Sequence, residues 1–211
     1  MAVAVFFVIR FSMAAYVFND AETIFKNALQ LEQSEKSQAY LQALERVDKA
    51  LKLRSKQAKA LDLKGEILYR QWWVKPDGEY LGNSSLLQES KIFHEKALAI
   101  RQEWPFTMLQ LTRLEAHKAR LGDDFYKRFN QTYEFGRFEV VIALDLMNLG
   151  LLRWNELNKE AKKKVIELTN LSVQQKRNSL NGVRDSLKKM GLYLFMCSRI
   201  EQNDRQADLC N

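Results

Sequence analysis

Two short runs of apolar residues between positions 40 and 69 predict a pair of antiparallel helices. In each run the apolar positions recur every three or four residues, which is the period of one face of an α-helix. The first run contains Tyr40, Ala43, Val47, Ala50 and Leu53, and the second contains Leu61, Gly65, Leu68 and Tyr69. A chain with this pattern has to bury both faces against neighbouring helices.

The smallest side chains in the two runs are those of Ala43, Ala50 and Gly65. Two helices approach each other closely only where one of them contributes almost no side chain, so these positions predict the contact between the helices. The spacing resembles that of tetratricopeptide repeats, in which helical hairpins stack into a solenoid. Such repeats are typical of scaffolds rather than of catalysts.

Composition supports a protein made mainly of helices. The 211 residues include only 8 Gly and 2 Pro, too few for the many turns of an all-β protein, and 46% are hydrophobic. We therefore expect an all-α fold of tetratricopeptide-like antiparallel hairpins, arranged as a single solenoid-like domain over residues 19–211. The same periodicity predicts one continuous last helix from Leu180 to Ile200.

An insertion is predicted to interrupt the repeat between residues 74 and 88. Its Lys75-Pro76-Asp77-Gly78 segment is a turn by its chemistry, since Pro fixes φ and Gly supplies a positive φ. Trp72, Trp73 and Tyr80 flank or lie within this loop. Exposed aromatic rings of this kind can stack on sugar rings, so these three residues are predicted binding residues; the alternative is that they fill the gap between successive hairpins.

The first eighteen residues are almost entirely apolar. Arg10 is their only charged residue, and at 1.5 Å per residue a helix over 1–18 is about 27 Å long, close to the thickness of a bilayer core. This predicts a membrane anchor or export signal over residues 1–18, although no positive charge precedes Arg10. The alternative is a buried first helix that packs on the repeats.

Positive charge is concentrated near the C-terminus. The formal net charge is +7, and residues 151–190 hold ten Lys or Arg and four Asp or Glu. Lys162, Lys163 and Lys164 are the densest part of this region and are predicted binding residues for an anionic partner. The alternative is a solvated helix face. Nucleic acid is not the expected partner, because no set of stacking aromatics accompanies the charge.

No catalytic, metal or cofactor motif occurs. His94 and His117 are the only histidines, and neither has Cys, Asp or Glu at the short spacing of a zinc motif. Glycine-rich phosphate loops and nucleophile elbows are missing as well. We therefore expect a protein that is not an enzyme, uses no cofactor and binds no metal, and no small-molecule substrate can be named.

The two cysteines, Cys197 and Cys210, lie thirteen positions apart in the C-terminal segment. A disulfide between them would fasten the tail 197–211 to the last helix. Disulfides persist in oxidising compartments, so this prediction and the apolar N-terminus support each other. The alternative is two free thiols in a cytosolic protein.

The order of these features resembles the VpsP-like family of bacterial exopolysaccharide biosynthesis proteins. The resemblance covers most of the chain and rests on an apolar leader, a repeat helix pair and a series of short motifs: Trp104-Pro105-Phe106-Thr107, Leu121-Gly122-Asp123, Gly150-Leu151 with Trp154, and Cys197 with Cys210. It implies an accessory protein at the inner membrane or in the periplasm, with no catalytic residues to carry over. The chain departs from the family pattern in its uncharged start and in residues 74–88.

The sequence thus predicts a non-catalytic accessory or scaffold protein in exopolysaccharide biosynthesis or export. Its expected partners are proteins of the synthesis and export assembly, with the membrane contacted through the N-terminus. One alternative is a general tetratricopeptide adaptor that binds a peptide in its groove. Another is a nucleic-acid binder that uses the basic region 159–189.

Overall fold

The computed structural model describes residues 2–73, 84–175, 179–199 and 209–210, with the backbone alone described for residues 2–4, 84, 173–175 and 179–180. These residues form helices and no strand, which confirms the predicted all-α hairpin fold. The α-helices are α1 (Ala2–Ala28), α2 (Gln33–Leu53), α3 (Ala58–Trp73), α4 (Ser84–Ile100), α5 (Pro105–Ala116), α6 (Asp123–Gly136), α7 (Val140–Leu152), α8 (Lys159–Gln175), α9 (Ser179–Lys189) and α10 (Tyr193–Cys197).

The chain divides into two compact units, Met1–Gln102 and Glu103–Asn211. No linker rich in Pro or Gly marks this division, which is why the sequence predicts one domain. Helix α1 also runs without a break across residue 18, where the sequence predicts a boundary.

In the first unit, α1 packs along α2, α3 packs along α4, and α2 also contacts α3. Helix α1 buries one stripe of alternating large and small residues, namely Ala14, Phe18, Ala21, Phe25 and Ala28. Apart from Ala14, the stripe meets Tyr40, Ala43, Val47 and Ala50 of α2 in one apolar cluster. The main partner of α2 is therefore α1, and not α3 as the sequence pattern suggests.

Gly65 marks the closest approach of α3 to α4. A Cβ atom built on Gly65 would lie 2.7 Å from Nε2 of His94 and 2.8 Å from two carbons of the same ring. Ser90 Oγ donates a 2.7 Å hydrogen bond to the Gly65 carbonyl in the same contact. The predicted close approach at Gly65 thus exists, but its partner helix is α4.

The second unit pairs α5 with α6 and α7 with α8, and α9 packs on α8. Phe125 and Phe129 of α6 lie at its centre, together with Ile142, Leu146 and Met147 of α7. Gly150 lets α7 approach α8, because a Cβ atom there would overlap Val165.

Two expected boundaries are wrong. The chain is helical from Ser84, so residues 84–88 belong to α4, while residues 74–83 lie outside the described ranges. The helix expected from Leu180 to Ile200 is broken at Gly191, which adopts a φ of 68°. Its N–H bonds to Lys188 O and the next N–H bonds to Leu187 O, which is the usual way a glycine ends a helix. Leu194, which follows this break, is exposed.

Candidate functional site

Residues 5–9 of α1 form an apolar arm in which every side chain is exposed. Val5, Phe6, Phe7, Val8 and Ile9 are between 47% and 64% exposed. Successive residues are about 100° apart around a helix, so five consecutive exposed residues leave apolar surface on all sides. From Ala14 onward α1 is buried along one face only. The arm therefore lies outside the buried stripe of α1, which begins at Ala14.

Arg10 lies at the boundary between the arm and the packed part of α1. Its Nε donates to Leu53 O at 2.8 Å, and its Nη2 donates to Lys52 O at 3.3 Å. Both carbonyls belong to the last turn of α2, where backbone oxygens lack a partner within the helix and the helix dipole is negative. The guanidinium of Arg54 covers the Phe11 ring at 5.0 Å. These contacts fix the base of the arm at the C-terminal end of α2.

A groove of about 660 Å³ opens at the same end of α2. It is formed by residues from α2, the α2–α3 turn, α3 and α4. Its apolar lining consists of Leu51, Leu61, Phe93, Ala99 and Ile100, and its polar lining consists of Asp48, Lys52, Ser55, Lys56, Lys64 and Lys96. This volume lies within the range of small-molecule sites, and the lining combines apolar side chains with several charged ones.

The charged residues of the groove differ in their contacts. Lys64 donates to Asp48 Oδ1 at 2.7 Å, and its Nζ lies 4.3 Å from the centre of the Phe93 ring. Lys96 Nζ lies 5.1 Å from the same ring. Lys52, Lys56 and Lys96 are exposed. With one carboxylate paired to one of four lysines, the groove keeps a net positive charge.

Buried Ser90 and His94 lie close to the partly buried Asp62 beside the groove, but the three are not arranged as a nucleophile and its base. His94 is 1% exposed, and its Nδ1 lies 2.7 Å from Asp62 Oδ1. Its Nε2 is buried without a hydrogen-bond partner and faces Gly65. Ser90 donates instead to the Gly65 carbonyl. The carboxylate therefore fixes the ring orientation, and the three residues hold α3 against α4.

His117 ends α5 in the second unit, where it is partly buried. Burial lowers the pKa of its imidazole, and the positive charges of Arg153 and Arg113 lower that pKa further. The neutral form is thus favoured at neutral pH. No group of three or more His, Cys, Asp or Glu in the described part of the chain could hold a metal ion.

The predicted aromatic residues lie at the end of α3. Trp72 and Trp73 contact each other, with ring centres 5.2 Å apart, and each lies 6.2 Å from the Tyr69 ring. Trp73 is 41% exposed. Tyr80 lies outside the described residues. The structure therefore brings Trp72 and Trp73 into an aromatic cluster, and their role in binding stays a prediction.

The predicted lysines of α8 have three different surroundings. Lys162 Nζ lies 5.4 Å from the Trp154 ring, while Lys163 is 79% exposed. Lys164 is largely buried and bonds to Glu160 and Asn130, each at 2.9 Å. Because consecutive helical residues point in different directions, the three ammonium groups do not form one surface.

Tyr133 donates a hydrogen bond to Glu167 and so joins α6 to α8. Burial, followed by the adjacent Glu167 carboxylate, raises the pKa of Tyr133 to about 12. The phenol therefore stays neutral and can keep donating throughout the ordinary pH range.

Cys197 and Cys210 are joined by a disulfide, with their Cα atoms 5.7 Å apart. Between them the chain is described only at the two ends, but Leu209 is fully buried in the core of the second unit. Its carbonyl accepts hydrogen bonds from Arg184 at 3.1 Å and from Tyr193 at 2.9 Å. The bridge therefore holds the C-terminal segment against α9 and α10.

The groove lysines were not identified as a site from the sequence, whereas the arm lies within residues 1–18, which the sequence predicts to be a membrane anchor or export signal. The groove contains Lys52, Lys56, Lys64 and Lys96. A spacing of four residues places two charges on the same face only when both residues belong to one helix. Here the lysines come from three helices and a turn, so only the folded chain brings them together.

Comparison with models of protein families and with curated proteins finds no match to this chain. Within residues 2–73, 84–175, 179–199 and 209–210, no helix is both long and apolar enough to cross a membrane.

Proposed function

We propose that the protein is a non-catalytic accessory protein of bacterial exopolysaccharide biosynthesis or export, attached to the inner membrane by its apolar arm. The observation that carries this proposal is that all five apolar side chains of residues 5–9 are exposed. A helix segment that is apolar on every side is stable only when an apolar medium surrounds it. The hydrocarbon of a lipid bilayer is such a medium.

The dimensions of α1 favour shallow insertion. Residues 2–9 measure about 12 Å along the helix, less than half the thickness of a bilayer core of about 30 Å. Arg10 is fixed at the base of this segment, and Arg54 lies beside it at the end of α2. These cationic groups would then lie at the level of the lipid headgroups, where anionic lipids attract them. The arm therefore enters one leaflet.

The polysaccharide setting rests on the resemblance of the ordered motifs to those of the VpsP-like family. In the second unit, residues of those motifs lie at the starts of helices and at contacts between helices. Trp104 and Pro105 begin α5, Gly122 precedes α6, and Gly150 allows α7 to approach α8. Trp154 contacts Phe195, with ring centres 5.5 Å apart. These positions support a scaffold of packed helices, on which proteins of the synthesis and export assembly would dock.

Deleting the gene should reduce the secreted polymer, and the wild-type chain should restore it. A chain carrying Phe6→Ser, Phe7→Ser and Ile9→Ser should move from the membrane fraction to the soluble fraction and should fail to restore the polymer. The reason is that the arm loses most of the apolar surface that favours the bilayer. Cell fractionation and polymer yield measure the two effects in the same strains.

The control carries Leu41→Ser, Ile92→Ser and Phe138→Ser, which remove three exposed apolar side chains outside the arm. This variant should stay in the membrane fraction and support normal polymer yield. Normal polymer in the deletion strain would remove the polysaccharide assignment. Two results would remove the proposed role of residues 5–9. One is a serine-substituted variant that still fractionates with membranes, and the other is membrane-bound protein whose intact mass shows that the arm is missing.

A further inference from the structure

The groove opens beside the base of the arm, at the C-terminal end of α2. Arg10 holds the carbonyls of Lys52 and Leu53, and the adjacent Leu51 and Lys52 side chains line the groove. We propose that the groove binds a single anionic phospholipid, with its phosphate on the lysines and its acyl chains on the apolar lining. This inference rests on the proposed function, because an arm inserted in a leaflet places the groove opening at the headgroups.

The charge of the groove matches a phosphodiester. Lys52, Lys56 and Lys96 are exposed around the opening, and Lys64 lies deeper, held by Asp48 and the Phe93 ring. An ammonium group on a flexible side chain binds phosphate as a point charge without a fixed geometry. Three exposed lysines from different elements can therefore gather around one phosphate.

The apolar lining matches acyl chains. Leu61 is buried and Leu51 and Phe93 are partly buried, while Ala99 and Ile100 lie at the end of α4. Ile100 is exposed although it faces the groove, so an apolar side chain is left in water until a ligand covers it. A free phosphate would leave this surface exposed. A phospholipid covers it and pairs the lysines in the same binding event.

A water-soluble lipid tests the groove without a bilayer. The titrant is dihexanoyl phosphatidylglycerol below its micelle concentration, and the protein is the full-length chain with the three serine substitutions in the arm, so that lipid bound to the arm does not contribute. Isothermal titration calorimetry should show one saturable site. Dihexanoyl phosphatidylcholine, which has the same chains and no net charge, should bind about tenfold more weakly or not at all.

Groove variants locate the site. Lys52→Gln, Lys56→Gln and Lys96→Gln together should weaken phosphatidylglycerol binding about tenfold, because three exposed ion pairs are lost. The matched control is Lys26→Gln, Lys36→Gln and Lys127→Gln, which has the same change in charge outside the groove and should bind normally. Ile100→Ser should also weaken binding. Its control, Ile92→Ser, changes an exposed isoleucine of α4 outside the groove.

Three results would overturn the inference. Deacylated phosphatidylglycerol that binds as tightly as the lipid would indicate a site for free phosphodiesters. An acidic amphipathic peptide that binds in preference to the lipid would indicate a protein partner. Lipid binding that survives both groove variants would place the site elsewhere. None of these results concerns membrane attachment by the arm. That attachment is tested separately, by measuring whether a groove variant with an intact arm still binds to vesicles.

Discussion

Gly65→Ala should lower the free energy of unfolding of the first unit by about 2 kcal/mol, or its melting temperature by about 10 °C. The new methyl group would lie 2.7 Å from the ring of His94, which is buried and held by Asp62. The cost of this overlap exceeds the gain of up to about 1 kcal/mol that alanine brings in a helix. Hydrogen exchange in peptides from α3 and α4 measures the effect.

Two further variants show whether the overlap is the cause. Adding His94→Ala to Gly65→Ala should recover part of the lost stability, because the ring that the methyl group meets is gone. Gly182→Ala should be neutral or stabilising by up to about 1 kcal/mol, since nothing lies within 4 Å of the added atom. If Gly65→Ala behaves like Gly182→Ala, the close approach of α3 to α4 is wrong.

Loss of the disulfide should have the largest effect in the second unit. Replacing Cys197 and Cys210 by serine removes a bridge across thirteen positions, which in the chain-entropy model costs about 3 kcal/mol. The segment that holds Leu209 in the core would also be released. Hydrogen exchange over residues 181–199 should become faster in the variant.

Protein recovered without reductant should resist alkylation at both cysteines until a reductant is added. The reductant should destabilise the wild-type chain and leave the double serine variant unchanged. Two thiols that react freely in the untreated protein would contradict the bridge, and they would also weaken the argument for an oxidising compartment.

The apolar period was enough to predict helices, but it could not assign their partners. Tyr40, Ala43 and Val47 were correctly expected to be buried, yet their main neighbour is α1. The apolar character of residues 1–18 did not reveal that α1 changes near Arg10 from an exposed arm to a packed helix. Val8 is exposed and Phe18 is buried, yet both are apolar residues in the same run. The buried stripe of α1 can be distinguished from its exposed arm only when it is known where α2, the helix that covers the stripe, ends.

Other features depend on contacts between distant residues. The Asp62 partner of His94 is 32 positions away, so no short-range spacing could have indicated the pair. The break at Gly191 follows from a positive φ, which a lone glycine in a periodic run permits but does not require. The groove forms because the C-terminal ends of α2 and α4 lie side by side. The period of the apolar residues does not predict which helix ends are neighbours.

The measurement that tests membrane attachment most directly is the accessibility of a nitroxide at residue 8. The label is attached through Val8→Cys on the full-length chain bound to anionic vesicles, with Leu41→Cys as the control position on α2. Inserted in a leaflet, the label at residue 8 should gain collisions with oxygen and lose collisions with a water-soluble nickel chelate, while the label at residue 41 changes little. Equal accessibility to the chelate with and without vesicles at residue 8 would contradict insertion of the arm.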